Sequence, residues 1–172
     1  MENIGKKISH LFLVKFLPMP IQIRDAVPAD FPAILSLIKE LAAFQEASDR
    51  VLVTLEQLNA EKDLFRCFVA ENSAGEIIGI ATWFVGYFSW VGKSLWLDDL
   101  YVKQSERGNN AGRQLLNKIF EEARRQGCQR VRWQVSDWNK KAIAFYENLG
   151  AEIDREIYNC DFGRKEIEEF RC

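Results

Sequence analysis

The stretch ERGNNAGR at residues 106–113 decides how the rest of this chain is interpreted. It lies between a strand-like run, LWLDDLYV (residues 95–102), and an amphipathic helix-like run at residues 114–126. A loop rich in Gly and Asn that enters a helix can direct backbone N–H groups at an anion, and the helix start adds partial positive charge. Arg113, in the first helical turn, is disfavoured by the helix dipole unless an anion lies nearby. The alternative is a solvated turn with two surface arginines, Arg107 and Arg113.

The composition is that of a weakly acidic globular chain. A length of 172 residues fits one domain with a substantial core. The net charge of −2 gives no indication of a nucleic-acid or membrane partner, and we expect neither. The cysteines lack the spacing of a zinc site or a disulfide framework, so they indicate reduced thiols and a cytoplasmic protein. These cysteines are Cys67, Cys128, Cys160 and Cys172.

The position of the only histidine excludes several kinds of chemistry. His10 lies close to the N-terminus, so the body of the chain has no histidine for a catalytic triad or a metal cluster. We therefore expect no metal, and acid–base chemistry must come from carboxylates, Tyr, Lys or Cys. Cys128 follows a glycine at a predicted helix end, which favours a packing role over a nucleophile.

The first twenty residues differ from the remainder. Lys6 and Lys7 precede an apolar run at residues 8–17, which faintly resembles a signal peptide, but Lys15 interrupts it and no small-residue cleavage site follows. The run is also too short and too charged to span a bilayer. We expect residues 1–20 to be a dispensable extension, with Met19 an alternative start, and residues 21–172 to form a single domain.

Strand and helix patterns alternate from residue 21 onward. Strand patterns are found at residues 21–25, 67–70, 77–87, 95–102, 130–135, 151–153 and 156–162. Predicted helices begin after Asp30, after Thr54, at Gly112 and after Asn139, where Asp30, Thr54 and Asn139 are N-cap candidates. Strands and helices mixed in this order predict helices packed on a mixed sheet.

Two motifs in addition to the loop resemble a known superfamily. The run LWLDDLYV and the loop RGNNAG are followed by a strand, RVRWQV (residues 130–135), and then by DWNKKAIAFYENLGAE (residues 137–152). This order resembles the GNAT superfamily of N-acetyltransferases. The segments IKELAAFQEASDRV (residues 38–51) and WFVGYFSWVGK (residues 83–93) are similar to its diamine (spermidine/spermine) and thialysine N-acetyltransferase group. The likeness extends over residues 21–153.

The resemblance implies both a fold and a reaction. The fold is an α/β (α+β) GNAT fold, in which a mixed, mostly antiparallel sheet of six to seven strands has a central splay and about four flanking helices. The donor is acetyl-coenzyme A, and the acceptor is a primary amine of a small molecule, which attacks directly in a ternary complex. Relatives of this group are usually homodimers, so a homodimer is expected, with exposed aromatics around Trp90 and residues 156–162 at its interface.

The resemblance also assigns residues to acetyl-coenzyme A. The pantetheine arm would enter the splay and pair with the backbone of residues 100–102, as a peptide pairs with a strand edge. The pyrophosphate would bind the amides of residues 108–113. The cofactor-binding residues implied are Leu100, Tyr101, Val102, Arg107, Gly108, Asn109, Asn110, Ala111, Gly112, Arg113, Asn139 and Ala142.

One position departs from the superfamily pattern Arg/Gln-x-x-Gly-x-Gly/Ala. Arg107 and Gly112 match the pattern, but Asn110 replaces its first glycine. Asn tolerates left-handed backbone dihedral angles better than other non-glycine residues, so we expect the turn to survive. The added side chain affects how closely a phosphate can approach.

Asp98 and Tyr146 are the predicted catalytic residues. A primary amine must lose a proton before it attacks a thioester, and the resemblance places Asp98 in the amine site as electrostatic anchor and proton acceptor. Asp98 and Asp99 are adjacent on one strand, so alternation predicts that their side chains point to opposite faces. The resemblance makes Tyr146 the general acid that protonates the leaving thiolate. The alternatives are a solvated strand acid for Asp98 and a core aromatic for Tyr146.

The predicted substrate-binding residues are Asp98, Gln45, Trp90 and Trp133. The aromatic run at residues 83–90 could form a pocket wall that attracts a cationic amine; the alternative is a buried strand pair. Gln45 and Phe88 stand where polyamine-specific relatives carry acids, which favours a small amino-acid-like or short diamine acceptor over a long polyamine. Two other functions stay open: acetylation of another amine class, such as a protein N-terminus or an antibiotic, and a non-catalytic acyl-coenzyme A sensor.

Overall fold

The computed structural model describes residues 20–171, which form two compact units that divide between Trp133 and Gln134. Except for Pro20, the predicted extension and the candidate start at Met19 lie outside the described residues. That residues 21–172 form one domain stays a prediction.

A five-stranded sheet forms the centre of the first unit, with the strands in chain order across it. The first four strands are antiparallel and the fifth is parallel to the fourth, which confirms a mixed, mostly antiparallel sheet. The strands are β1 (Gln22–Asp25), β2 (Arg66–Glu71), β3 (Ile77–Phe88), β4 (Gly92–Val102) and β5 (Arg130–Arg132). The helices of this unit are α1 (Phe31–Phe44), α2 (Leu55–Ala60) and α3 (Ala111–Arg125).

Helix α1 covers one face of the sheet. Its apolar positions Ile34 and Leu37 are fully buried against strand residues that include Val69, Ile80 and Tyr101. Burying side chains of this size contributes roughly 1.5–3 kcal/mol each, so this cluster is a main source of stability. Tyr101 of β4 lies directly opposite Ile80 of β3, so both side chains are on the same face of the sheet. Their burial against α1 shows that this face of β4 is turned toward α1.

Helix α3 covers the opposite face. On that face Phe68 stacks on Trp83, and Lys118 of α3 lies over the Phe68 ring. A Cβ atom on Gly79 would lie 2.9 Å from the Tyr101 carbonyl oxygen and 3.3 Å from Leu115 of α3. Glycine at residue 79 therefore allows α3 to pack closely on β3 and β4.

The helix caps follow two of the three predictions. Thr54 and Gln57 form a capping box at α2, with Gln57 N donating to Thr54 Oγ1 at 3.2 Å. Asp30, in contrast, makes no side-chain cap at α1. Its carboxylate accepts from Val27 N and pairs with Arg24 at 2.7 Å, because a short 3-10 turn precedes α1 and directs the side chain backward. The predicted Asp30 cap was therefore wrong.

Pairing between β4 and β5, where the splay was predicted, is short. Residues 94–96 pair with Arg130–Arg132, and the pairing then stops. Beyond residue 96, no described residue pairs with the outer edge of β4. Strand β5 is thus shorter than the predicted 130–135, and residues 97–102 offer an open strand edge.

The second unit contains α4 (Lys140–Asn148) and α5 (Arg164–Glu169). Asn139 caps α4 as predicted, since its Oδ1 accepts from Ala142 N at 3.2 Å. The strands predicted at 151–153 and 156–162 do not form, so the described sheet has five strands rather than six to seven. The Asp154 carboxylate accepts from Glu156 N in a local turn, and Tyr158 is 88 % exposed. Without apolar burial, nothing fixes a strand register there.

The described helices include none with the length and apolar character needed to cross a membrane.

Candidate active site

A β-bulge in β4 sets the geometry of the acidic pair. Thr82 of β3 lies opposite Asp99, whereas the next residue, Trp83, lies opposite Leu97. Asp98 therefore has no partner on β3 and is the extra residue of the bulge. Bulges interrupt the ladder and redirect side chains, and they are common beside active sites.

The bulge places Asp98 and Asp99 on the same face of the sheet. Residues directly opposite each other share a face, so Trp96, opposite Phe84, and Asp99, opposite Thr82, both lie on the α1 face. Asp98 lies two residues after Trp96 on this face, and Trp96 Nε1 donates to its Oδ1 at 3.4 Å. The prediction that the two acids face opposite sides was wrong, because strict alternation assumes a regular ladder.

Asp99 has an unusual carboxyl group. Burial, followed by the nearby charge of Asp98, raises the pKa of Asp99 to about 6. Its backbone N–H donates to Thr82 Oγ1 at 3.0 Å, which holds the strand at the bulge. Asp98 is exposed. The site therefore offers one carboxylate that attracts a cation and a second that can take up a proton near neutral pH. Sequence reasoning missed Asp99, although two consecutive acids inside an apolar strand were a usable sign.

The loop before α3 has the backbone expected of an anion site. Asn110 is left-handed, with φ 72° and ψ 6°, so Asn keeps the turn that the superfamily pattern assigns to glycine. Asn109 Oδ1 accepts from Ala111 N at 3.1 Å. The next amides, of Gly112 and Arg113, make no hydrogen bond to any described residue. Two N–H groups at the positive end of α3 are thus left for an anion.

Gly112 provides a test of whether this loop fits a ligand. An added Cβ atom would meet only Val102 Cγ2, at 3.8 Å, which is an ordinary contact. Packing within the described chain thus does not require glycine at this position. The space beside the Gly112 amide suits a group that approaches the backbone closely, as a pyrophosphate does.

Arg107 is held between the loop and the open edge of β4. Its guanidinium carbon lies 4.9 Å from the centre of the Phe44 ring and 5.6 Å from that of Tyr101. Its Nε donates to the Val102 carbonyl oxygen at 3.2 Å. The Tyr101 hydroxyl in turn donates to Glu40 at 3.3 Å. Arg107 thus presents a cation at the point where the loop and the β4 edge meet.

The predicted substrate residues of the first unit are not all brought together. Gln45 is exposed at the end of α1, and Trp133 is half-buried directly after β5. Trp90 is 99 % exposed in the turn between β3 and β4. Asp98 lies roughly 20 Å along β4 from the start of that strand at Gly92, so this unit does not bring Trp90 to the acidic pair.

The aromatic run is divided between the two faces of the sheet. Trp83 is buried on the α3 face, whereas Phe84 and Phe88 each stack on Trp96 with ring centres 6.4 Å apart. Phe84 keeps 40 % of its surface exposed. The run is therefore neither a fully buried strand pair nor a continuous wall, and its open part adjoins Asp98.

Tyr146, the predicted general acid, lies on α4 in the second unit. It is buried, which raises the pKa of its hydroxyl, and its ring meets Phe145 edge-on at 5.3 Å. A raised pKa keeps the phenol protonated, as a proton donor requires. Asn139 and Ala142 are engaged in the α4 cap.

The fold and the site define a class of protein. The family model described as "Acetyltransferase (GNAT) family" matches residues 29–151, and the chain belongs to this family. It is an N-acetyltransferase, as the sequence motifs predicted, and it resembles the diamine and thialysine group.

Curated relatives agree with this assignment, and a solved structure agrees with the fold. The chain is 36 % identical over 153 residues to a thialysine N-epsilon-acetyltransferase of Bos taurus, covering 81 % of this chain and 90 % of that protein. It is 38 % identical over 140 residues to the Sus scrofa protein of the same name, covering 75 % and 82 %. A soil-metagenome aminoglycoside acetyltransferase superposes with a TM-score of 0.70 at 19 % identity, covering 83 % of this chain and 95 % of that chain. This last match shows the fold alone.

Proposed function

We propose that the protein transfers the acetyl group of acetyl-coenzyme A to a primary amine of a small molecule, by direct attack within a ternary complex. The observation that carries this proposal is the bulge in β4, which places Asp98 and Asp99 on one face with the pKa of Asp99 at about 6. An ammonium group is attracted by the pair, and Asp99 takes its proton directly or through water. This assignment extends the predicted role of Asp98 as anchor and acceptor.

The residues beside the splay fit acetyl-coenzyme A. When bound, it supplies the acetyl group as an activated thioester. The amides of Gly112 and Arg113 and the side chain of Arg107 would hold the pyrophosphate, together with the other predicted residues of the loop. The open edge formed by residues 100–102 would pair with the pantetheine amides. Asn139 and Ala142 remain predicted contacts by resemblance.

Tyr146 completes the proposed mechanism as general acid. Its buried phenol would give a proton to the thiolate that leaves, and backbone N–H groups of β4 would polarise the thioester carbonyl. No covalent enzyme intermediate is needed. Cys67 does not fit such a role, because burial raises the pKa of its thiol to about 12.

The acceptor that we propose is a small amino-acid-like amine or a short diamine. The support is the activity for which the similar thialysine N-epsilon-acetyltransferases are named, together with Gln45 and Phe88 at positions where polyamine-specific relatives carry acids. Gln45 and Trp133 stay proposed substrate contacts, whereas Trp90 lies too far along the β3–β4 hairpin from the acidic pair of its own unit to contact the same amine. We also propose that the protein is cytoplasmic, because its cysteines have the spacing of reduced thiols. We propose that it is a homodimer, because relatives of the diamine and thialysine group usually are.

A thiol-release assay tests the function. The protein is mixed with acetyl-coenzyme A and, separately, with thialysine, a short diamine, spermidine, an aminoglycoside and a peptide with a free N-terminus. We expect the fastest release with thialysine or the diamine, together with a mass increase of one acetyl group on the amine. Fastest release with the aminoglycoside or peptide would support another amine class. Binding of acetyl-coenzyme A without release for any amine would support the acyl-coenzyme A sensor.

A further inference from the structure

Two arginines of β5 lie on the same face as the acidic pair. Arg130 lies beside Ser94 and Arg132 beside Trp96 in the parallel ladder, so both share the face of Trp96, Asp98 and Asp99. The guanidinium carbon of Arg130 lies 4.8 Å from the centre of the Phe88 ring. All of these residues belong to the first unit.

Neither guanidinium is neutralised by an acid of the described chain. Arg130 Nε is buried without a hydrogen-bond partner among the described residues, and no described residue makes an ion pair or hydrogen bond with the half-buried side chain of Arg132. Arg24 differs from both, since it is paired with Asp30 and Glu71. A partly desolvated guanidinium without an acid favours an external anion, above all a carboxylate.

The two charge signs are separated by an apolar platform of suitable length. Trp96 adjoins both Arg132 and Asp98, and Phe84 and Phe88 stack on its ring from the β3 side, so that the three rings form a partly exposed platform. Arg132 opposes Trp96 and Asp98 follows two residues later, so their Cα atoms lie roughly 8 Å apart by strand rise and spacing. A lysine-like amino acid carries its terminal nitrogen and its carboxyl carbon six bonds apart, which is roughly 7 Å when extended.

We propose that Arg132, assisted by Arg130, binds the α-carboxylate of the acceptor, so that the enzyme selects ω-amino amino acids over diamines and polyamines. The inference rests on the proposed function and names its substrate class. The ammonium would lie at Asp98 and Asp99, the chain would lie on the aromatic platform, and the carboxylate would bind the β5 arginines. A diamine or polyamine would place a second cation beside these arginines and lose binding energy.

The test compares two acceptors that differ only in the carboxylate, thialysine and bis(2-aminoethyl) sulfide. We expect a kcat/KM about 10- to 100-fold higher for thialysine, since a charge-assisted hydrogen bond is worth roughly that factor. Arg132→Gln should remove most of this preference and leave or raise kcat/KM for the diamine, while Arg132→Lys should restore part of it. Arg130→Gln should reduce it less. Arg124→Gln, which removes the same charge from the exposed side of α3, should change neither value.

Each outcome separates this inference from the proposed function. No turnover of either acceptor by the wild type would reject the proposed function itself. Equal turnover of both would support acetyl transfer and overturn the carboxylate site. A preference that persists in Arg130→Gln, Arg132→Gln and the double variant would place the carboxylate elsewhere and also overturn it. Unfolding temperatures of the variants, compared with Arg132→Lys, exclude loss of fold as the cause.

Discussion

Asp99 shows how strongly a local irregularity changes the chemistry of one residue. On a regular strand its side chain would face away from Asp98, but the bulge brings the two carboxylates to one face. Burial and the neighbouring charge then raise the pKa of Asp99 to about 6. A base is most effective when its pKa lies near the working pH, so the cost of burying this acid is consistent with a catalytic role.

Replacing Asp99 by Asn should increase stability while it reduces activity. Because the pKa of folded Asp99 is raised, its favourable contribution exists at low pH and is lost as pH rises through about 6. Asp99→Asn should therefore raise the unfolding free energy at pH 8 by on the order of 1–2 kcal/mol, with little gain at pH 4. Chemical denaturation at both pH values measures this. A loss of stability at pH 8 would contradict the burial argument.

Tyr146→Phe tests the proposed proton donor. The change keeps the ring and removes the hydroxyl, so kcat should fall about 10- to 1,000-fold with little change in stability. The matched control is Tyr158→Phe in the same unit, where the ring is 88 % exposed and kcat should not change. An unchanged kcat in Tyr146→Phe, with chemistry rate-limiting, would remove Tyr146 from the mechanism.

At the scale of elements, the start of α3 combines a fold requirement with a ligand requirement. Asn110 satisfies the left-handed turn, and Asn109 satisfies the first helical amide. The next two amides remain for an anion. A Cβ atom at Gly112 would meet only an ordinary contact in the protein, so the fold accepts alanine at this position. Close approach of a phosphate to the backbone, in contrast, favours glycine.

Gly112→Ala should therefore affect the stability of the protein and its affinity for coenzyme A differently. Alanine favours the helix, so stability should rise by up to about 0.5–1 kcal/mol, or stay unchanged. Coenzyme A affinity, measured by calorimetry, should fall at least about tenfold, because the methyl group occupies the approach to the amide. Gly127→Ala is the contrasting control: with φ 67° it should lose stability and keep affinity. Equal affinities of wild type and Gly112→Ala would place the phosphates elsewhere.

The sequence predicted those elements whose cause is local. These elements depend on residues that are close together in the sequence. They are the caps at Thr54 and Asn139, the turn at Asn110 and the apolar stripes of α1 and α3. The bulge at Asp98 depends on pairing with β3, which no property of LWLDDLYV alone reveals. The strands predicted at 151–153 and 156–162 had strand-like composition but bury too little apolar surface to pair. The β5 arginines likewise required the strand register.

At the scale of the whole molecule, we predict that exposed aromatic residues of the first unit form the surface for a second copy. Trp90 is 99 % and Tyr87 83 % exposed near the tip of the β3–β4 hairpin. Contiguous exposed apolar surface is uncommon on monomers and frequent at interfaces. We predict that light scattering at micromolar concentration gives about twice the chain mass of 19.9 kDa, and that Trp90→Ser shifts the mass toward the monomer. A clean monomer mass for the wild type would count against the homodimer.

The central claim is that the acidic pair on the β4 bulge removes the proton from the acceptor amine. The pH dependence of kcat/KM for thialysine, in the wild type and in Asp98→Asn, tests it most directly. We predict an acidic limb near pH 6 in the wild type. In Asp98→Asn this limb should move part of the way to lower pH, because burial still raises the pKa of Asp99 but the charge of Asp98 no longer adds to it, while KM rises. A limb that stays at the same pH in Asp98→Asn and persists in Asp99→Asn would contradict the claim.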